Sequence, residues 1–256
     1  MIYLVDDLEL ELRRWMGQPP ALSKSAAISL LKKTSINGQL LCELVYNQLE
    51  LRYLSRLRQK PPSAKNWRWE PQLHLDEKNT SAELNLEKRL IRQCDSDWTN
   101  AIPTASGLFD DGGRKANIDL AVREGKTGAF MELKWNSNHP VYAAIEMIGY
   151  AMSWIQARVR AESMDYIKCS QLRPALDFSV VHWSVVAPSE FYSKSVGIGG
   201  LEAALNEGVQ AFTRYKLGES VSSSFHFIRL PAGVDPFNPK PDLVNFLRKS
   251  ALSSSK

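Results

Sequence analysis

The sequence predicts an α/β fold preceded by a helical N-terminal extension. Leucines recur at helical spacing between residues 20 and 60, two short strand-like segments flank Gly125-Lys126, and helices and strands then alternate as far as residue 230. At about 150 residues per domain, 256 residues make one large domain or one domain with an appendage. With 44% hydrophobic and 23% charged residues, a disordered chain, a collagen and a pure coiled coil are excluded.

The first twelve residues hold four acids (Asp6, Asp7, Glu9, Glu11) and no base, which does not suit a signal peptide. The longest apolar stretch, Val141 to Ile155, is too short to span a bilayer and contains Glu146. Cys42, Cys94 and Cys169 are scattered, with no metal-ligand spacing and no disulfide framework. A soluble protein of the reducing cytoplasm, with no membrane partner, is expected.

In the N-terminal region, residues 1–78, Leu30, Leu31, Leu41, Leu44, Val45, Leu49, Leu51, Leu54 and Leu57 follow helical spacing until Pro61-Pro62 stops the run. From Arg13 to Arg68 there are eleven bases and two acids, a local +9. A stretch of this kind suits a polyanion such as nucleic acid, or else is a solvated helix surface. Arg56, Arg58, Lys60 and Arg68 are its candidate phosphate contacts. Trp67 and Trp69 could stack on bases, although burial in a core is the commoner use of tryptophan.

A new pattern starts at Asn79. Ser81 to Cys94 is predicted as a helix capped by Thr80 or Ser81. Leu84, Leu86, Leu90, Ile91 and Cys94 share one side, with Glu83 and Glu87 inside that apolar arc. Carboxylates placed there need a partner, because an unpaired buried charge is costly. Asn117 to Val122 and Ala129 to Lys134 read as strands, and Gly125-Lys126 fits a two-residue type II′ turn between them. A long helix follows, with Asn138 or His139 as cap and Pro140 in its first turn. Val141, Ile145, Ile148, Met152 and Ile155 form its core stripe; Tyr142, Glu146, Tyr150 and Ser153 lie opposite. A strand over 179–186, a helix over 201–215 and a strand over 225–230 complete a core spanning 79–235. Residues 236–256 form a tail with a short helix near 243–249.

The turn sets the register. Glu124 pairs with Thr127, and counting back along both strands sets Asp119 across from Glu132, with Lys134 on the same face. Opposed residues share a face with Cβ atoms about 4.5–5.5 Å apart, and like charges there destabilise the sheet. A divalent cation removes that penalty; magnesium in particular is held by one or two carboxylates with waters and substrate phosphate. A lysine beside it can position or deprotonate a water, or stabilise charge at phosphorus. The bland alternative is an exposed hairpin face on which Lys134 neutralises an acid.

The helix with Glu87-Lys88-Arg89-Leu90-Ile91, the strand Asn117-Ile118-Asp119-Leu120-Ala121-Val122, the strand with Glu132-Leu133-Lys134 and the long helix after it resemble, in that order, the PD-(D/E)XK, or restriction-endonuclease-like, nuclease superfamily. The likeness spans about residues 79 to 190. Asn117-Ile118 stands where a proline often precedes the aspartate. The resemblance implies a mixed central sheet flanked by helices and a magnesium-dependent nuclease acting on DNA, with Mn2+ as a substitute ion. It further implies that Asp119 and Glu132 bind the ion, with Glu87, or alternatively Glu83, completing the shell. Lys134 would orient or activate water. Glu146 and Tyr150 on the long helix are additional candidates. A homodimer could bring two sites to two strands. The alternatives are a non-catalytic nucleic-acid-binding or scaffold module of the same fold and, more weakly, a carboxylate-pair glycan hydrolase.

His74, His139, His182 and His226 are isolated in sequence, with no zinc spacing. Gly197-Ile198-Gly199-Gly200 lacks the remaining residues of a phosphate loop and reads as a turn into a helix.

Overall fold

The computed structural model describes residues 37–56, 62–104, 117–136, 139–193 and 197–253. Helix α1 (Gly38–Arg56) starts where Asn37 Oδ1 accepts from Leu40 N at 3.0 Å. Its buried side, Leu41, Val45, Tyr46, Leu49 and Tyr53, follows the leucine spacing, whereas Leu51 and Leu54 are exposed. Helix α2 (Ala82–Ile91) is capped by Ser81, whose side chain accepts from Leu84 N. Strand β1 (Trp98–Pro103) follows, an element the sequence does not announce. Strands β2 (Asn117–Glu124) and β3 (Thr127–Leu133) form the expected hairpin. Gly125 has φ +59°, the left-handed backbone that the first central place of a II′ turn demands.

Helix α3 (Pro140–Val159) is capped by His139. Strand β4 (Val180–Ala187), short helix α4 (Ser189–Ser193), helix α5 (Ile198–Leu217), strand β5 (Ser222–Arg229) and helix α6 (Asp242–Leu252) complete the chain. The sheet runs β1-β2-β3-β4-β5. The first three strands are antiparallel; β3, β4 and β5 are parallel. Helices lie on both faces, so the fold is mixed α/β with a mixed sheet between helical layers. None of the described helices is long and apolar enough to cross a membrane.

One face packs Phe130, Val181, Trp183, Val185 and Phe225 against α1, α3 and α5. The other packs Leu120, Val122, Met131 and Val186 against Leu86 and Leu90 of α2 and Leu243 and Leu247 of α6. Helix α1 therefore shares the core of the sheet. It lies against α5 so closely that a Cβ at Gly208 would overlap the Gly38 backbone. Along the outer side of β5, Phe225 N–H donates to Asn206 Oδ1 and Phe227 N–H to Glu202 Oε1, both at 3.0 Å and both from α5. Trp67 is fully buried and meets Phe130 edge-on, and Trp69 meets Phe178 edge-on. These two tryptophans thus serve packing.

Residues two apart on a strand normally face the same way. Here Ile118 belongs to one core layer and Leu120 to the other, so β2 turns over at Asp119. Strand β1 does the same beside it. Ala101 has φ +49°, and pairing passes from Asn100 with Leu120 directly to Ile102 with Ile118.

Candidate functional site

This turnover builds the site. The hairpin register runs as expected from Glu124 with Thr127 to Leu120 with Met131, the last described ladder pair. At the next position the side chain of Asp119 replaces the main chain: its Oδ2 accepts from Leu133 N at 2.8 Å. Asp119 and Glu132 are therefore neighbours without being a ladder pair. The difference arises because the kink opposite Ala101 rotates Asp119 out of regular pairing.

Glu132 and Lys134 leave the end of β3 on the side of α3. Lys134 Nζ lies 2.7 Å from Glu132 Oε1 and 3.0 Å from Glu146 Oε2, all three side chains being largely buried. The polar side of α3 thus faces inward: Glu146 pairs with Lys134, and Tyr150 Oη donates to Asn117 O at 2.8 Å. From the opposite layer, Glu87 Oε1 accepts from Asn100 Nδ2 and pairs with Lys88 Nζ at 2.9 Å. Glu83 Oε1 accepts from Trp135 N at 2.8 Å, pinning the backbone just past Lys134. Glu83 holds the strand end and Glu87 faces Asp119, so the two helix carboxylates have different surroundings.

The electrostatics reflect this crowding. Burial and the charge of Glu87 push the Asp119 carboxyl up to about 8, against the pull of Lys134 and the Leu133 N–H. Burial and Asp119 hold Glu132 well above the carboxylate range. Burial alone would lower the Lys134 ammonium, but Glu132, Glu146 and Asp119 outweigh it and keep the charge in place. Burial and the same three carboxylates raise the Tyr150 phenol.

Among the described residues, no group of three or more His, Cys, Asp or Glu side chains is arranged to hold a metal ion. The donor chemistry nevertheless fits magnesium. The candidates are all hard carboxylate oxygens, and Glu132 Oε2 is buried with no hydrogen-bond partner, an acceptor open to a cation.

Of the proposed phosphate contacts, Arg68 is occupied within the protein: Nε donates to Ala64 O and Nη1 pairs with Glu70 at 3.1 Å. The side chain of Arg56, along with Arg58, Lys60 and residues 1–36, lies outside the described residues. Asn100 and Gln72, which hold Glu87 and Lys88, carry no motif that the sequence alone marks as part of the site. Lys88 next to Glu87 was the only signal in the sequence. Comparison with models of protein families, with curated proteins and with solved structures returns no match to this chain.

Proposed function

We propose that the chain is a magnesium-dependent nuclease that hydrolyses DNA phosphodiester bonds. The reading rests on the cluster of Asp119, Glu132, Glu146 and Lys134 at the kinked end of the hairpin, buried at Glu132 and Lys134 and partly buried at Asp119 and Glu146, with Glu87 facing it. Asp119, Glu132, Glu146 and Glu87 outnumber the two ammonium groups beside them, Lys134 and Lys88, and a divalent cation would supply the remaining counter-charge. Asp119 and Glu132 would hold the ion, with Glu87 released from Lys88 to join them. When bound, the ion polarises phosphoryl oxygens and acidifies a coordinated water. Lys134 is held charged, so its direct contribution is an ammonium donor toward negative charge growing at phosphorus. Glu146 keeps the ammonium in place, and Tyr150 fixes the strand bearing Asp119. The basic N-terminal region would grip the backbone, and a homodimer would address two strands.

The test is incubation with plasmid and linear DNA, with and without Mg2+, Mn2+ and EDTA. Cleavage in the presence of either ion that EDTA stops, and that Asp119→Ala and Glu132→Ala abolish, is the expected outcome. Neutralising Arg56, Arg58 and Lys60 together should flatten the plot of log affinity against log salt by about 0.9 per lost phosphate contact.

A second reading is a non-catalytic nucleic-acid-binding or scaffold module. It is favoured by the closure of Glu132 and Glu146 on Lys134 and of Glu87 on Lys88, which gives three of the four carboxylates an ammonium partner within the protein. DNA binding without cleavage under every ion condition would establish it.

A further inference from the structure

The histidines that are isolated in sequence meet on the sheet. His182 of β4 pairs in register with Ser224 of β5, and His226 is two residues further along the same strand. Ser224 Oγ lies 2.6 Å from His182 Nδ1 and 2.9 Å from His226 Nε2. On the other side of the His226 ring, Nδ1 lies 3.8 Å from Glu202 Oε1. The Phe227 N–H donates to that same oxygen at 3.0 Å and fixes the carboxylate. His182 and Ser224 line a cleft of about 550 Å3, walled by Val180 and Val221 and rimmed by Thr127 and Arg214.

We propose that Ser224 is a nucleophile activated by His226 and Glu202, and that this cleft binds small carboxylic esters. A hydroxyl on one imidazole nitrogen and a carboxylate facing the other is the arrangement that activates serine. The second ring completes it. Burial and the neighbouring His226 lower His182 to about 4, so it is neutral at physiological pH. Neutral His182 can donate Nδ1–H to Ser224 Oγ, which leaves the Oγ–H directed at His226 Nε2. Burial alone would raise the Glu202 carboxyl, but the nearby His226 ring and the hydrogen bond from the Phe227 N–H hold it below its usual value and charged. The cleft is of the size that takes a small ligand. It is separate from the carboxylate cluster: Thr127 and Glu132 are five residues apart on β3, roughly 17 Å at the rise of a strand.

The chemistry balances without a cofactor. Ser224 Oγ bonds to the ester carbonyl carbon, and its proton passes to His226 Nε2. The carbonyl carbon–oxygen single bond breaks, and His226 returns that proton to the departing alkoxide. Water then attacks the seryl ester, giving one proton to His226 and releasing the acid, and Ser224 takes the proton back.

The full-length chain incubated with p-nitrophenyl acetate in EDTA tests this. The expected result is a burst of about one p-nitrophenolate per chain, with the acetyl group on Ser224 by peptide mass spectrometry. His226→Gln should slow acylation at least about a hundredfold, and Glu202→Gln by a smaller factor. Ser224→Cys keeps a nucleophile in place, so its alkylation by iodoacetamide should be faster with His226 present than in the Ser224→Cys, His226→Gln double variant. Acetylation only at lysines, or equal alkylation of the two cysteine variants, would overturn the proposal.

Discussion

Asp119 carries the tension of the site in one side chain. A carboxyl raised from 3.8 to about 8 in the folded chain favours folding while protonated. Its contribution is full below the unfolded-state value and is lost as pH rises from about 4 through 8. Asp119→Asn keeps an acceptor for the Leu133 N–H and carries no charge. Its melting temperature, measured without divalent ions, should exceed that of the wild type by a margin that widens between pH 5 and pH 8. An equal margin at both would show that Asp119 is not the strained acid. Lys134 is the complementary case. Lys134→Met leaves Glu132 and Glu146 facing each other in a buried site, and stranding a buried partner costs roughly 3–5 kcal/mol. Denaturant titration at pH 7 should show that loss, and it should shrink at pH 5 as Glu132, whose carboxyl is raised by burial, protonates. The sequence carried these residues and the hairpin register as far as Leu120 with Met131. It did not carry the turnover at Asp119, because that depends on a positive φ at Ala101, a residue with no special tolerance for it.

The hairpin itself separates two roles of glycine. Gly125 needs its positive φ and has open space around it, so Gly125→Ala should cost only the left-handed penalty, about 1–2 kcal/mol. Gly128 sits against the Phe178 ring, where an added Cβ would overlap it. That ring is wedged between Phe130 and Trp69 and has little room to retreat. Gly128→Ala should therefore be the more damaging of the two by chemical denaturation; the reverse order would mean Phe178 moves freely. Helices and parallel strands were legible here because their periodicities are long or strongly apolar. Strand β1 was not. Its Trp-Thr-Asn-Ala-Ile-Pro run lacks alternation, since its side chains change layer midway and it ends in proline. The inward face of α3 was also hidden. A helix buried on nearly every side loses the contrast between stripes, so the spacing alone does not turn Glu146, opposite the core stripe, inward onto Lys134.

At the scale of the molecule, helix α1 and the sheet are joined by packing. Leu41, Val45 and Leu49 of α1 share a core with Trp183 and Phe225, and the close approach of Gly38 to Gly208 leaves no gap for water. A chain starting at Pro62 would expose that apolar face. It should lose the sharp single thermal transition expected of the full chain, as followed by tryptophan fluorescence; an unchanged transition would make α1 a dispensable attachment. The two side chains that α5 lends to β5 have a different consequence. A strand at the margin of a sheet offers its free N–H groups to any passing chain, and this is how folded proteins are recruited into growing stacks. Asn206 and Glu202 occupy those groups at Phe225 and Phe227. At these positions a sixth strand would find its hydrogen bonds already taken, which guards a crowded solution of this protein against association through that margin.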